Sequence, residues 1–177
     1  AMTLRAAVFG AGGNRVNEWK LDARTCDCCQ TDSAVTPAGP LVVYRDRSEN
    51  EIRDIYVTRF SNGHWQKPNR VAKDNWLMPA CPVNGPAIAA NGHSVWAAWY
   101  TAANNNPAIR VAYSGDSGND FKLAKTFKNG KEVQGRVDLS ADAEGAWMLW
   151  LEEADNQTLW LARLDKQLNT VGAPIRI

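Results

Sequence analysis

The sequence has no apolar run near the ~18–20 residues that a bilayer-spanning helix needs; its best candidate, Val95 to Ala103, is about half that. It also lacks a dominant charge, since 20 basic and 19 acidic residues leave a formal net charge of +1. That balance creates no field to gather nucleic acid or an anionic membrane, so neither is expected as a partner. Cysteine is scarce: four in 177 residues are too few for a disulfide scaffold, and three of them are clustered. The start, Ala1-Met2-Thr3-Leu4-Arg5, lacks the basic-then-apolar pattern of a signal peptide, although a leader removed upstream is compatible with it. Helical periodicity is weak throughout. What is present is the make-up of an ordinary globular domain, with 45% hydrophobic and 22% charged residues in a chain long enough for one core.

Short strand-like segments recur. Leu4–Phe9, Ile52–Val57, Ile109–Ser114 and Leu159–Leu164 each carry aliphatic, aromatic or β-branched residues and run into a turn. A second strand-like segment follows each turn, such as Trp65 to Val71, which predicts four hairpins. Between them lie further pairs: Ala34–Thr36 with Leu41–Tyr44, Ala87–Ala89 with Val95–Trp99, and Val137–Ser140 with Ala146–Trp150. An aromatic residue (Tyr44, Trp99 or Trp150) closes each of these pairs. A unit of about 50 residues with four strands is the signature of a β-propeller blade. The predicted fold class is therefore all-β, built of four-stranded antiparallel blades. An immunoglobulin-like sandwich also has many short strands, but it does not predict a recurring hairpin at this spacing.

Ser114-Gly115-Asp116-Ser117-Gly118-Asn119-Asp120-Phe121 resembles an Asp-box, the Ser-x-Asp-x-Gly-x-Thr-Trp hairpin of sialidases and BNR-repeat proteins. Ser114, Asp116, Gly118 and an aromatic, Phe121, match; Asp120 stands for Thr and Phe121 for Trp. Thr58 to Trp65 resembles a shortened copy, and Cys26 through Phe121 is similar to bacterial sialidase-like proteins of largely unassigned activity. The box is a structural staple: its Asp and Ser can bond turn amides while its aromatic packs between sheets. The resemblance implies one partial sialidase-like propeller of about three and a half blades: a half-blade 1–25 and blades 26–78, 79–130 and 131–177. Sialidase-like propellers have six blades, so the chain is a fragment, an open partial propeller, or half of a ring completed by a second copy. Two-fold closure is the commonest way to hide bare faces, and a homodimer is the expectation. The family likeness slightly favours export.

In such a meander the Asp-box turns lie on one face, and the loops after the second and fourth strands lie on the other, where sialidases carry their site. That face receives the cysteine segment, Cys81–Pro86, Gln134–Asp138 and the charged loop Arg45–Glu51. Guanidinium groups suit a bound carboxylate. The ligand-binding candidates are Arg45, Arg47, Asn84, Arg136 and Asp138, for a small molecule or glycan. A sialidase-type hydrolase acting on terminal acidic sugars would recruit Arg45, Arg53 or Arg136 for the carboxylate and Asp46 or Glu49 as acid or base. Against it, the chain has no Phe/Tyr-Arg-Ile-Pro segment of the sialidase type. A solvated loop whose charges pair among themselves accounts for the same residues. A non-catalytic binding or structural module is the preferred expectation.

Taking Gly39 and Gly92 as equivalent turn residues sets an offset of 53, which carries Cys28 onto Cys81. Cys81 is thus expected within reach of Cys26, Cys28 and Cys29. A disulfide from Cys81 into the cluster would staple two blades and is the preferred reading. Buried free thiols, or a Cu or Zn site on these cysteines, are the alternatives. Cys-x-Cys and an adjacent Cys-Cys suit structural zinc poorly, and His64 and His93 fall on turns of the opposite face.

Overall fold

Alternating apolar and polar residues punctuated by turn residues build strands along nearly the whole chain. The computed structural model describes residues 2–177. The strands are β1 (Met2–Phe9), β2 (Arg15–Thr25), β3 (Asp32–Thr36), β4 (Gly39–Arg45), β5 (Ile55–Ser61), β6 (His64–Trp65), β7 (Asn69–Arg70) and β8 (Ala87–Asn91). They continue with β9 (Ser94–Thr101), β10 (Ala108–Ser114), β11 (Leu123–Asn129), β12 (Val133–Ala141), β13 (Ala146–Glu153), β14 (Gln157–Leu164) and β15 (Ile175–Arg176). A single 3-10 turn, Ala103–Asn105, is the only helical element among the described residues.

The strands form one antiparallel hairpin, β1-β2, and three antiparallel meanders in chain order. The meanders are β3-β4-β5 with β6 and β7, then β8-β9-β10-β11, then β12-β13-β14-β15. Two strands differ from the sequence expectation. The strand expected from Ile52 starts at Ile55, because Glu51 turns the chain through a φ of +58° and Ile52 makes only an isolated bridge to Leu77. The outer strand expected from Trp65 to Val71 is broken into β6 and β7, which pair with opposite ends of β5. Pro68, which has no amide hydrogen for the ladder, lies in that break.

The sheets pack face to face, and the middle meander is buried on both faces. Along β9 successive side chains point to opposite sides. Val95, Ala97 and Trp99 join Leu41, Val43, Ile55, Val57, Val71, Ile88 and Ala112 in one cluster with the preceding sheet. Trp96 and Ala98 join Ile109, Val111, Val137, Met148, Trp150 and Leu164 in a second with the following sheet. Both β9 indoles find an acceptor across their interface: Trp99 Nε1 donates to Asp74 at 2.6 Å and Trp96 Nε1 to the Asp165 carbonyl at 3.3 Å. Asp74 also accepts from Arg110 Nη1, so one carboxylate ties a loop of one sheet to two strands of the next. The first strands of the meanders follow the same order, with β3 against β8 and β8 against β12.

The turn from β10 to β11 is organised by Ser114 and Asp116. The Ser114 hydroxyl accepts from the amides of Asp116 and Gly118 and donates to the Asp116 carboxylate at 2.6 Å. Asp116 in turn accepts from the Asp120 amide at 3.1 Å, and Phe121 packs against the first core cluster. These bonds hold the Asp116 carboxyl below its ordinary range although burial pushes it the other way. Arg59, from the preceding sheet, donates to the Ser117 carbonyl at 2.9 Å and docks the turn.

Truncating Trp99 to Ala empties the larger part of an indole site and removes one of the two side-chain donors to Asp74. It is expected to lower unfolding free energy by about 3–5 kcal/mol. Val35→Thr, at a position 76% exposed, is expected to stay within about 0.5 kcal/mol. Urea denaturation followed by tryptophan fluorescence makes the comparison.

Candidate functional site

Four loops converge at one edge of the stack: the cysteine segment after β2, the charged loop after β4, the lead into β8, and the start of β12. The chain leaves β2 through a bridge between Thr25 and Asp46, and the Cys26 amide donates to the Arg45 carbonyl at 3.0 Å. The cysteine segment is thereby laid against the end of β4. Cys26 and Cys29 form one disulfide, with Cα atoms 5.6 Å apart, and Cys28 and Cys81 form another, at 6.1 Å. Both separations are ordinary for disulfides. The second joins the lead-ins to β3 and β8 across 53 residues of sequence.

The same two lead-ins are fastened without sulfur. Gln30 Oε1 accepts from the Gly85 amide at 2.8 Å, and its Nε2 donates to the Gly85 carbonyl at 3.4 Å. A Cβ at position 85 would lie 2.0 Å from the Gln30 carbonyl oxygen, so only glycine allows this approach. Asp32 at the head of β3 accepts from the Ile88 amide at 2.8 Å.

Arg45 lies at the centre of the convergence and is 1% exposed. Its Nε donates to the Asn84 carbonyl at 2.8 Å, Nη1 to the Arg53 carbonyl at 2.6 Å and Nη2 to the Tyr100 carbonyl at 2.6 Å. The guanidinium also sits over the Trp76 ring, 4.9 Å from its centroid. Burial pushes its pKa down to about 9, which leaves it charged at neutral pH. With these donors engaged and the side chain closed off, Arg45 is a cross-link between loops and is not presented to a ligand.

Asn84 is also internal. Its side chain donates to the Gln134 carbonyl at 3.0 Å and accepts from the Arg136 amide at 3.0 Å. That second bond requires a bulge in β12, where Gly135 and Arg136 have φ of +78° and +51°. The Arg136 side chain is exposed and reaches back to the Val83 carbonyl. Asp138 is exposed farther along β12 and accepts from the Leu139 amide.

The charged loop closes on Glu51. Its carboxylate receives Arg24 at 3.0 Å, Arg47 through both Nε and Nη2, and Arg53 at 2.9 Å. The Arg47 hydrogen bond and charge, with help from Arg53, hold the Glu51 carboxyl below its ordinary range. Arg47 also donates to Asp27 at 2.9 Å, joining this cluster to the cysteine segment. Arg53 spends its Nε on the Met78 carbonyl and is 3% exposed. Glu49, chosen from the sequence beside Glu51, is exposed to solvent. Nothing in the local composition separates these two glutamates; the positive φ at Glu51 is what turns it inward. Arg24 and Asp27, which sequence reading passed over, lie on the other side of the bridge from the charged loop.

Asp46 is the one carboxyl here held above its ordinary value, to about 6, chiefly because burial disfavours its charge. The Asp22 charge adds to this, and Asp22 itself accepts from the buried Tyr44 hydroxyl at 2.6 Å. Asp54, 1% exposed, is satisfied by Arg70 at 3.1 Å and by the amides of Asn75 and Trp76.

The class defined by these observations is an all-β chain of stacked antiparallel meanders, whose loops are cross-linked at one edge by the Cys28–Cys81 disulfide and a buried arginine, with a second disulfide inside the cysteine segment. No family model matches the chain, and no curated protein matches it either.

Between the ordinary aspartate value and about 6, the folded chain retains a proton on Asp46 that the unfolded chain has released, so this group's contribution to stability falls as pH rises through that window. Asp46→Asn is expected to raise stability at neutral pH by about 1 kcal/mol, after allowance for solvent screening of a partly exposed carboxyl. The gain should disappear by about pH 4. The difference between variant and wild-type urea midpoints across this range isolates Asp46 from the other carboxylates.

Proposed function

We propose that the chain is a non-catalytic propeller module of the sialidase-like kind, binding or structural in role, with its three meanders as blades and β1-β2 as a half-blade. The observation that carries this reading is the fate of the charged residues a hydrolase would use. Arg45 and Arg53 are buried against carbonyls, and Arg47 and Arg53 are occupied by Glu51. Asp46 has the raised pKa of an acid catalyst, but of the two arginines that flank it, Arg45 is turned away into carbonyls and Arg47 is held by Glu51. Arg136 and Asp138 are the exposed candidates that this reading leaves for a small-molecule or glycan ligand. The two disulfides accord with an exported protein.

Support for blades comes from the order of packing, in which the first strand of each meander lies beside the first strand of the next. The last sheet supports a second copy as the partner that completes the ring. Its outward face pairs Leu149 with Leu161 and Leu151 with Leu159 across β13 and β14, next to Trp147, which is 37% exposed. A contiguous apolar face of this kind marks an interaction surface.

Two measurements test the reading. Fluorogenic sialosides are expected to show no turnover above buffer; turnover that Arg45→Ala or Glu49→Ala abolishes would establish the hydrolase instead. Light scattering on the eluting protein at micromolar concentration is expected to give the mass of two chains. A monomer removes the ring-completing partner.

A further inference from the structure

The geometry points to a soft-cation site: once the two disulfides are reduced, the thiolates of Cys26, Cys28 and Cys29, with Cys81 beside them, bind a single Cu(I). The Sγ atoms of Cys26, Cys28 and Cys29 all lie within 4.8 Å of one another, and Cys26 Sγ is 3.8 Å from Cys28 Sγ across the two disulfides. Cys81 is brought to the same point by its bond to Cys28.

Four sulfurs brought together only by their own bonds would scatter on reduction. Here the segments are held by contacts that contain no sulfur. The Cys26 amide is on the Arg45 carbonyl, Asp27 is fixed by Arg47 and by the Met2 amide, and Gln30 is clamped on Gly85. Reduction therefore leaves a thiol nest already assembled, with little left to order when a metal enters. Cys26 is buried, Cys28 and Cys29 are half-buried and Cys81 is exposed, which gives the ion a path in from one side.

The donor set selects the metal. Thiolates favour soft cations, Cu(I) and Zn(II) among them. Zn(II) needs four ligands in a tetrahedron, which adjacent Cys28 and Cys29 and a Cys26 two residues away supply poorly. Cu(I) is content with two or three thiolates.

Each disulfide takes two electrons and two protons from a dithiol reductant, which departs as its own cyclic disulfide. Cu(I) then replaces thiol protons, which pass to water. The inference rests on the cysteine geometry alone, so it stands or falls apart from the propeller reading.

The test titrates Cu(I) into the anaerobically reduced, desalted protein against a chromogenic Cu(I) chelator. The folded reduced protein is expected to withdraw a single Cu(I) per chain, with thiolate-to-copper absorption in the near ultraviolet. The oxidised protein should withdraw none. The Cys26→Ser/Cys29→Ser double variant, with circular dichroism to establish its fold, should bind at least about tenfold more weakly. The urea-unfolded reduced chain should lose copper at chelator concentrations the folded chain withstands. The proposal is overturned if copper stays with the chelator, if folded and unfolded chains hold it equally, if the oxidised protein or the double variant matches the reduced wild type, if Zn(II) is taken in preference, or if reduction unfolds the chain.

Discussion

The architecture of the loop edge depends on a cation buried without a carboxylate. Removing a guanidinium from water is costly, and for Arg45 the cost is offset by three backbone carbonyls and an indole face. Those carbonyls belong to Asn84, Arg53 and Tyr100, in the lead into β8, the charged loop and β9. Backbone acceptors in loops are normally satisfied by water at the surface; here a single planar donor satisfies two of them, and one strand carbonyl, internally. The loops can therefore approach each other closely enough for Gln30 to grip Gly85 and for Asn84 to reach the bulge at Arg136.

Carboxylates organise the rest of the edge. Glu51 gathers three arginines, Asp54 collects one arginine and two amides, and Asp74 joins an indole to a guanidinium across a sheet interface. Ion pairs of this sort add modest stability but are demanding in geometry, so they set the arrangement of the loops more than its free energy. The sheets themselves are held by apolar contact. The polar network determines which loop lies where once they have stacked.

Much of the sheet pattern was legible because short alternating segments with turn glycines repeat along the chain. The juxtaposition of Cys28 with Cys81 could be read from spacing, since it follows from equivalent positions in successive meanders, and the turn at Ser114–Phe121 from the capacity of its Ser and Asp to bond turn amides. The break between β6 and β7 is marked in the sequence by Pro68 and its polar neighbours Gln66, Lys67, Asn69 and Arg70, which interrupt the apolar pattern between Trp65 and Val71. The candidate site was less legible. Arg45, Arg53 and Asn84 look like solvent-facing loop residues in sequence, and only tertiary contacts bury them. Periodicity carries no information about a loop that folds inward. Nor can it tell Glu51, turned by a single backbone angle, from Glu49 two positions earlier.

The double burial of the middle meander governs how the molecule comes apart. Because β9 contributes alternate residues to both apolar clusters, neither cluster can dissolve while the other stays intact. Loss of either one strips a face of the same strand, so the three meanders are coupled into one cooperative unit. The β1-β2 hairpin stands outside that unit. Most of its residues face water, and a short bridge at Thr25 links its ladder to the next sheet. Backbone amides of β9 should therefore exchange with solvent only through global opening, while those of the hairpin exchange through local fraying. The cysteine segment sits at the seam between these two regimes.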